Sequence, residues 1–216
     1  MNREYLEKYN SDIEREKIFS DAQKILGDLG LTIEDLLKKN KILDLGASVA
    51  AVEKAVRLSG SLDKITSLSL EVPQSVKNSG LNFVKGQASE LPFNTGTFDL
   101  VISRNGPLYL VEKQSEAEVI LAEMLRVQSS KGESRIFPSR LGFIKRQLFD
   151  QNPEYFNLHA KPPSSRSKAD IARLAHYNNL VNKQTLVYLS KRGMTFETKG
   201  NNIHEEEDSD YIVFHK

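Results

Sequence analysis

One short segment constrains the fold more than any other. Lys41-Ile42-Leu43-Asp44-Leu45 runs into the small residues Gly46, Ala47, Ser48 and Ala50, and then into A-A-V-E-K-A-V-R-L. An apolar run of that length ending at a glycine reads as a strand buried on both faces, as in a parallel sheet. Residues 50–58 have helical composition and spacing. Strand, small-residue turn and helix in that order open a doubly wound unit. Small side chains in such a turn let the backbone come close to a ligand beyond the strand's carboxyl end.

The alternation continues along the chain. Further strands are predicted at residues 64–70, 82–85, 98–103 and 133–137, with a short helix at 73–77 and a longer one at 115–128. Two last strands, 195–199 and 211–215, flank the acidic run 205–208, which reads as a solvated loop. Alternating strands and helices place the chain in the α/β class, with a doubly wound sheet. Residues 4–39 look helical, with Thr32 as the N-cap of a short second helix. Residues 139–192 break the rhythm: they are mostly helical, interrupted by Pro153 and by K-P-P-S-S-R-S-K at 161–168.

Composition excludes several function classes. With 39% hydrophobic and 27% charged residues, 216 residues make one ordinary globular domain with a real core. A net charge of +1 gives no field toward nucleic acid or anionic membrane, so neither partner is supported. No apolar run approaches the ~18 residues of a membrane span. The absence of cysteine removes disulfides, thiolate metal sites and a cysteine nucleophile. The four histidines are not paired at metal-ligand spacing, and no metal is expected. The N-terminus is charged from the start and lacks the apolar core of a leader, which leads us to expect a cytoplasmic protein.

Taken together, "ILDLGASVA", "SLEVPQSV", "FVKGQASELPFNTGTFDLVISRNGPLYLVE" and "EMLRVQSSKGESRIFPS" resemble the class I S-adenosylmethionine-dependent methyltransferases over about residues 38–140. The stretch from Gly86 to Ser103 carries the likeness in both residues and spacing. The resemblance implies a Rossmann-like, seven-stranded sheet, mostly parallel with the last strand antiparallel and helices on both faces. It also implies one domain over residues 1–216: N-terminal helices at 1–39, a cofactor-binding core at 40–138, a helical acceptor or lid region at 139–192 and final strands at 193–216.

Carried over residue by residue, the resemblance gives a site. Asp44 would orient the methionine end of S-adenosylmethionine, and Gly46, with Ala47 and Ser48 after it, would let the backbone approach. Glu71, ending the second strand, would hold the ribose hydroxyls. Gln87 and Ala88 would face the adenine, and Ser103 and Arg104 would lie beside the methionine moiety, with Asn105 at the acceptor's edge. The chain departs from the family's glycine loop at Ser48 and Ala50, and has Gln87 where an aspartate is usual. Gln87 keeps an acceptor oxygen for the adenine amino group but no charge.

The implied activity is in-line transfer of a methyl group to a small-molecule acceptor, leaving S-adenosylhomocysteine. Positioning and desolvation supply most of such catalysis, and a general base is needed only for a protonated acceptor. Tyr109, Glu112, His176 and Tyr177 are the residue types near the expected mouth that could serve. No N/D-P-P-Y/F tetrapeptide follows the fourth strand, where S-R-N-G-P stands, so amino methylation by that route is disfavoured. The altered loop leaves open a second reading, a non-catalytic methyltransferase-like partner protein. A nicotinamide-dependent oxidoreductase is a third, against which G-Q-A-S-E-L-P-F and F-D-L-V argue.

In the region 139–192, Arg140, Lys145, Arg146, Lys161, Arg166 and Lys168 alternate with Phe143, Phe149, Tyr155 and Phe156. Amphipathic helices with solvated charges and buried rings account for this most simply. An anionic or aromatic acceptor, or an RNA backbone, is the functional alternative.

Overall fold

A computed structural model of the chain describes residues 12–47, 50–61, 63–72, 74, 76–77, 79–200 and 210–215. Ser48, the N-terminal tyrosines Tyr5 and Tyr9, and the acidic run 205–208 lie outside these residues. The chain begins with α1 (Asp12–Asp28), α2 (Ile33–Leu37), β1 (Ile42–Leu45), α3 (Ala51–Leu58), β2 (Ile65–Ser69) and β3 (Phe83–Lys85). It continues with β4 (Phe98–Arg104), α4 (Pro107–Leu110), α5 (Gln114–Val127) and β5 (Gln128–Phe137). Three helices follow, α6 (Gly142–Gln151), α7 (Pro153–Ala160) and α8 (Lys168–Lys191), and then β6 (Phe196–Gly200) and β7 (Asp210–His215).

The strands form one seven-stranded sheet in the order β3-β2-β1-β4-β5-β7-β6. β1 through β5 pair in parallel, and β7 runs antiparallel to both β5 and β6. Strand order reverses beside β1: the chain moves outward from β1 to β3 and then returns to β4 on β1's other edge. The carboxyl ends of β1 and β4 therefore frame the crevice where such sheets bind ligands.

Each strand divides its side chains between two helical layers, as the period of two requires. Ile42 of β1 and Leu100 and Ile102 of β4 pack with Leu26, Leu36, Val52 and Val56, under α1 to α3. Leu43, Leu45 and Val101 face the opposite layer, with Ile120, Leu121 and Met124 of α5 and residues of α6 to α8. Arg104 continues the first set, and its guanidinium pairs with Asp28 at the end of α1. The N-cap expected at Thr32 is a full capping box, with Asp35 N–H donating to Thr32 Oγ1 at 3.2 Å and Thr32 N–H to Asp35 Oδ2 at 3.1 Å.

Two expectations are corrected. Where a helix is expected at 73–77, the described residues Gln74, Val76 and Lys77 lie in turns, and Pro73 and Ser75 are outside the described residues. The fifth strand also starts at Gln128 rather than after Lys131-Gly132. Its pairing jumps from Phe98↔Gln128 to Leu100↔Glu133, so residues 129–132 bulge out opposite Asp99 alone. Gln128, fully buried, closes this bulge. Its Nε2 donates to the Gly132 carbonyl at 2.7 Å, and Ser134 Oγ donates to its Oε1 at 2.7 Å. Polar residues here are in the strand because a buried amide, not apolar burial, holds them there. Gln128→Ala leaves both groups without this partner and should lower stability by about 1–3 kcal/mol in chemical denaturation.

Candidate cofactor and acceptor site

A cleft of about 760 Å³ opens at the carboxyl ends of β1, β2 and β4. Its floor is backbone. Gly46 follows β1 with φ of +86°, donates its N–H to the Leu68 carbonyl at 2.8 Å, and turns away from the sheet. A Cβ at Gly46 would stand 3.1 Å from the Cα of Gly106, which follows β4. A Cβ at Gly106 would stand 2.1 Å from Ser103 Oγ and 2.7 Å from the Leu45 carbonyl oxygen. The two exits meet only because neither residue carries a side chain. Gly106 was not singled out from sequence, although N-G-P directly after a predicted strand signals a tight turn.

The structure brings Gly46, Gln87, Ala88 and Asn105 into the cleft wall, together with Ser69, Leu70, Gly86, Gly106, Pro107 and Glu112. Glu71 is exposed, two residues past the end of β2 and directly after the cleft-lining Leu70. Ala47 is buried at the head of the loop, and Ser103 is buried with its hydroxyl donating to the Leu45 carbonyl at 3.2 Å. Arg104 is the site residue whose side chain leaves the crevice, held by Asp28 on the α1 side of the sheet. Of the four residues named as possible bases, Glu112 lines the cleft, and Tyr109 lies on α4 beside it. His176 is exposed on α8, and the Tyr177 hydroxyl bonds to Asn152 and Glu154.

The segment from Gln87 to Phe93 is pinned from below. Leu91 N–H donates to Glu123 Oε2 at 2.7 Å, while Arg126 donates to the carbonyls of Phe93 at 2.7 Å and Leu91 at 2.9 Å. Glu123 and Arg126 also pair with each other on α5, at 2.6 and 2.8 Å. Gln87 and Glu90 close the tight turn above this clamp through an antiparallel bridge.

Two buried carboxylates stand behind the loop. Asp44 is 9% exposed, and burial, then the neighbouring Glu53, push its carboxyl up to about 7. Glu53, on the first turn of α3, is 5% exposed and is also raised by burial. It accepts from Ser67 Oγ at 2.9 Å and from Asn82 N–H at 2.5 Å, which ties α3 to β2 and to the entry of β3. Glu53 went unnoticed in the sequence because a glutamate in a first helical turn normally faces water. Between Gly46 and α3, Ala50 takes the left-handed conformation, φ 52° and ψ 36°.

Residues 43–136 match the family model described as a methyltransferase domain. The matched stretch runs from β1 to β5 and includes the residues that line the cleft. Solved structures extend the likeness in fold to nearly the whole chain. A protein of Pyrococcus horikoshii matches with a TM-score of 0.56 and 18% identity, over 100% of this chain and 99% of its own. A Methanococcus maripaludis protein, assigned as an S-adenosyl-L-methionine-dependent methyltransferase, matches with a TM-score of 0.54 and 16% identity over 95% of this chain and 90% of its own. Human N-acetylserotonin methyltransferase, solved with S-adenosylmethionine, matches at 0.52 and 19% over 100% of this chain, which spans 59% of it. No curated protein matches the sequence significantly. No helix among the described residues is long and apolar enough to cross a membrane.

Two stability predictions follow from the loop. Asp44 keeps its proton in the folded state up to about 7, whereas the unfolded chain releases it near 4, so stability falls as pH rises through that window. Asp44→Asn should remove roughly 2 kcal/mol of the stability difference between pH 5 and pH 7.5, read from denaturation midpoints. Ala50→Gly relieves left-handed strain of about 1–2 kcal/mol against a smaller entropic loss, and should raise the denaturation midpoint.

Proposed function

We propose that this chain transfers a methyl group from S-adenosylmethionine to a small-molecule acceptor by in-line displacement. The observation that carries this is the cleft, whose glycine-on-glycine floor lies at the ligand-binding crevice of the sheet. At about 760 Å³ it is the size of a small-molecule site, not of a polymer groove.

The residues fit such a cofactor. A Cβ at Gly46 would crowd the opposite backbone, so the loop has the close-approach geometry that a nucleotide-like ligand needs. Asp44, desolvated and beside a second carboxylate, gains most from a cation at the methionine end, which would restore its ionised form. Ala47 and Ser48, which follow in the sequence, would let the backbone approach as Gly46 does. Glu71 lies exposed where it would accept the ribose hydroxyls; Gln87 and the backbone of Ala88 would meet the adenine. Ser103 would hold the exits of β1 and β4 together beneath the methionine moiety, and Arg104 contributes there by backbone alone, its side chain being engaged with Asp28. Residues 139–192 would supply the acceptor's wall.

S-adenosylmethionine supplies an electrophilic methyl on a sulfonium, and its product is S-adenosylhomocysteine. The protein's own part is to align the acceptor and exclude water, through the backbone of Gly46 and Gly106 and the apolar rim of Leu70, Pro107 and Leu110. Calorimetric titration should show binding of S-adenosylmethionine and S-adenosylhomocysteine but not of NAD. No binding of the two sulfur nucleotides at millimolar concentration would sink the reading, and binding without turnover on any acceptor would identify the non-catalytic partner protein instead. Glu71→Ala should weaken binding by about 1–3 kcal/mol, the cost of charge-assisted hydrogen bonds to the ribose.

A further inference from the structure

The cleft wall at Gln87, Ala88 and Ser89 belongs to the connection 86–97 between β3 and β4, which forms no helix and no strand beyond the bridge of Gln87 with Glu90. Its two ends are held by different partners. At the start, Gly86 N–H donates to the Ser69 carbonyl at 3.0 Å, which fixes it to β2. Past the turn, both backbone groups of Leu91 are held by side chains of α5, its N–H by Glu123 Oε2 at 2.7 Å and its carbonyl by Arg126 Nη2 at 2.9 Å. All three guanidinium nitrogens of Arg126 are engaged: Nε and Nη2 on Glu123, Nη2 also on Leu91, and Nη1 on the Phe93 carbonyl at 2.7 Å. The hydrogen bonds from Arg126 hold the Glu123 carboxyl below its ordinary range, so the pair stays charged.

The same helix lines the cleft directly. Glu116 and Ile120 of α5 are in its wall, and Ile120 lies three residues before Glu123, on the same helical face. One helix therefore supplies one part of the wall and sets the position of another. Neither Glu123 nor Arg126 lines the cleft itself. Their side chains are 18% and 33% exposed, and an ion pair so near water adds little to stability. What the pair does supply is position, through three bonds to the backbone of Leu91 and Phe93. Hydrogen bonds weaken steeply away from ~2.9 Å and linear geometry, so a displacement of about 1 Å in the turn removes those it makes to a ligand.

We propose that Glu123 and Arg126 are positioning residues for purine recognition, holding the turn at Gln87 and Ala88 where its backbone separates adenine from other purines. This rests on the reading that adenine meets Gln87 and Ala88, and extends it to two residues that touch no ligand. Adenine presents a donor at its amino group and an acceptor at N1. Hypoxanthine reverses both, with an oxygen at C6 and a hydrogen on N1. The Gln87 side chain can turn its amide to suit either base, because the amide carries both an acceptor and donors. The Ala88 N–H can only donate, so it pairs with N1 of adenine and opposes the N1–H of hypoxanthine. Discrimination is then a property of backbone placement, and backbone placement is what the pair on α5 controls.

The test is calorimetric titration of the full chain with S-adenosylhomocysteine and S-inosylhomocysteine, each protein held well below its own unfolding midpoint. The unaltered chain should bind the adenine compound about tenfold or more tighter. Arg126→Gln should narrow that preference to about threefold or less, chiefly by weakening S-adenosylhomocysteine. Arg126→Lys keeps the ion pair but cannot fork onto two carbonyls and a carboxylate, and should fall between the two. A merely structural role lowers the unfolding midpoint and leaves the ratio of affinities unchanged. An unchanged ratio in whichever of the two variants folds overturns the proposal, as does an unaltered chain that binds both compounds equally, an arm that needs no variant. Binding of neither compound at millimolar concentration overturns the methyl-transfer reading and this proposal with it, whereas binding with an unchanged ratio overturns this proposal alone.

Discussion

Where β1 and β4 leave the sheet, their backbones meet at Gly46 and Gly106, with the Ser103 hydroxyl on the Leu45 carbonyl beside them, and much of the site depends on that contact. It lowers the floor of the cleft to the level of the strand ends, so a ligand rests on peptide groups instead of on side chains. It also sets where α4 begins, since Gly106 is the N-cap and Pro107 the first residue of that helix. α4 then forms a wall with two faces, Pro107 and Leu110 toward the cleft and Tyr109 against Lys145 of α6. A side chain at either glycine would move both faces at once.

The same region carries the least comfortable groups in the protein. Asp44 and Glu53 are both buried behind the loop, where burial disfavours the ionised form of each and Glu53 adds to the effect on Asp44. Ala50 holds a backbone conformation that an L-residue other than glycine adopts at a cost. Strain and desolvated charge concentrated at one strand-to-helix turn are usual where a binding site is pre-organised, because the surrounding core over-determines the geometry. Here that core is the α1 to α3 layer, with Val52, Ala55 and Val56 packed on Ile42 and Ile65.

Much of this was legible in the sequence, for definite reasons. β1 announced itself because a strand covered on both faces is apolar throughout, and Asp44 stood out as the exception within it. Thr32 was legible as a cap because its partner Asp35 lies three residues on. β5 was shortened in the reading because its first half is polar, and only the structure shows the Gln128 amide that closes the bulge. Of the candidate site, Gly46, Gln87 and Ala88 were legible as neighbours in space, since each follows the carboxyl end of a strand, and they line one cleft. Arg104 was placed beside the cofactor without regard to strand alternation, which directs its side chain to Asp28 on the other face. Glu53 and Gly106 depend on contacts between distant segments, and a local pattern does not report those.

The clamp of Glu123 and Arg126 changes what the segment from Gln87 to Phe93 is. Its amide and carbonyls are bonded to side chains of one helix, so in mechanical terms it is an extension of α5 and not a loop slung between β3 and β4. The amide of Leu91 therefore exchanges with solvent only when α5 lets go, and the end of the cleft at Gln87 and Ala88 inherits the stability of a helix packed across the centre of the sheet.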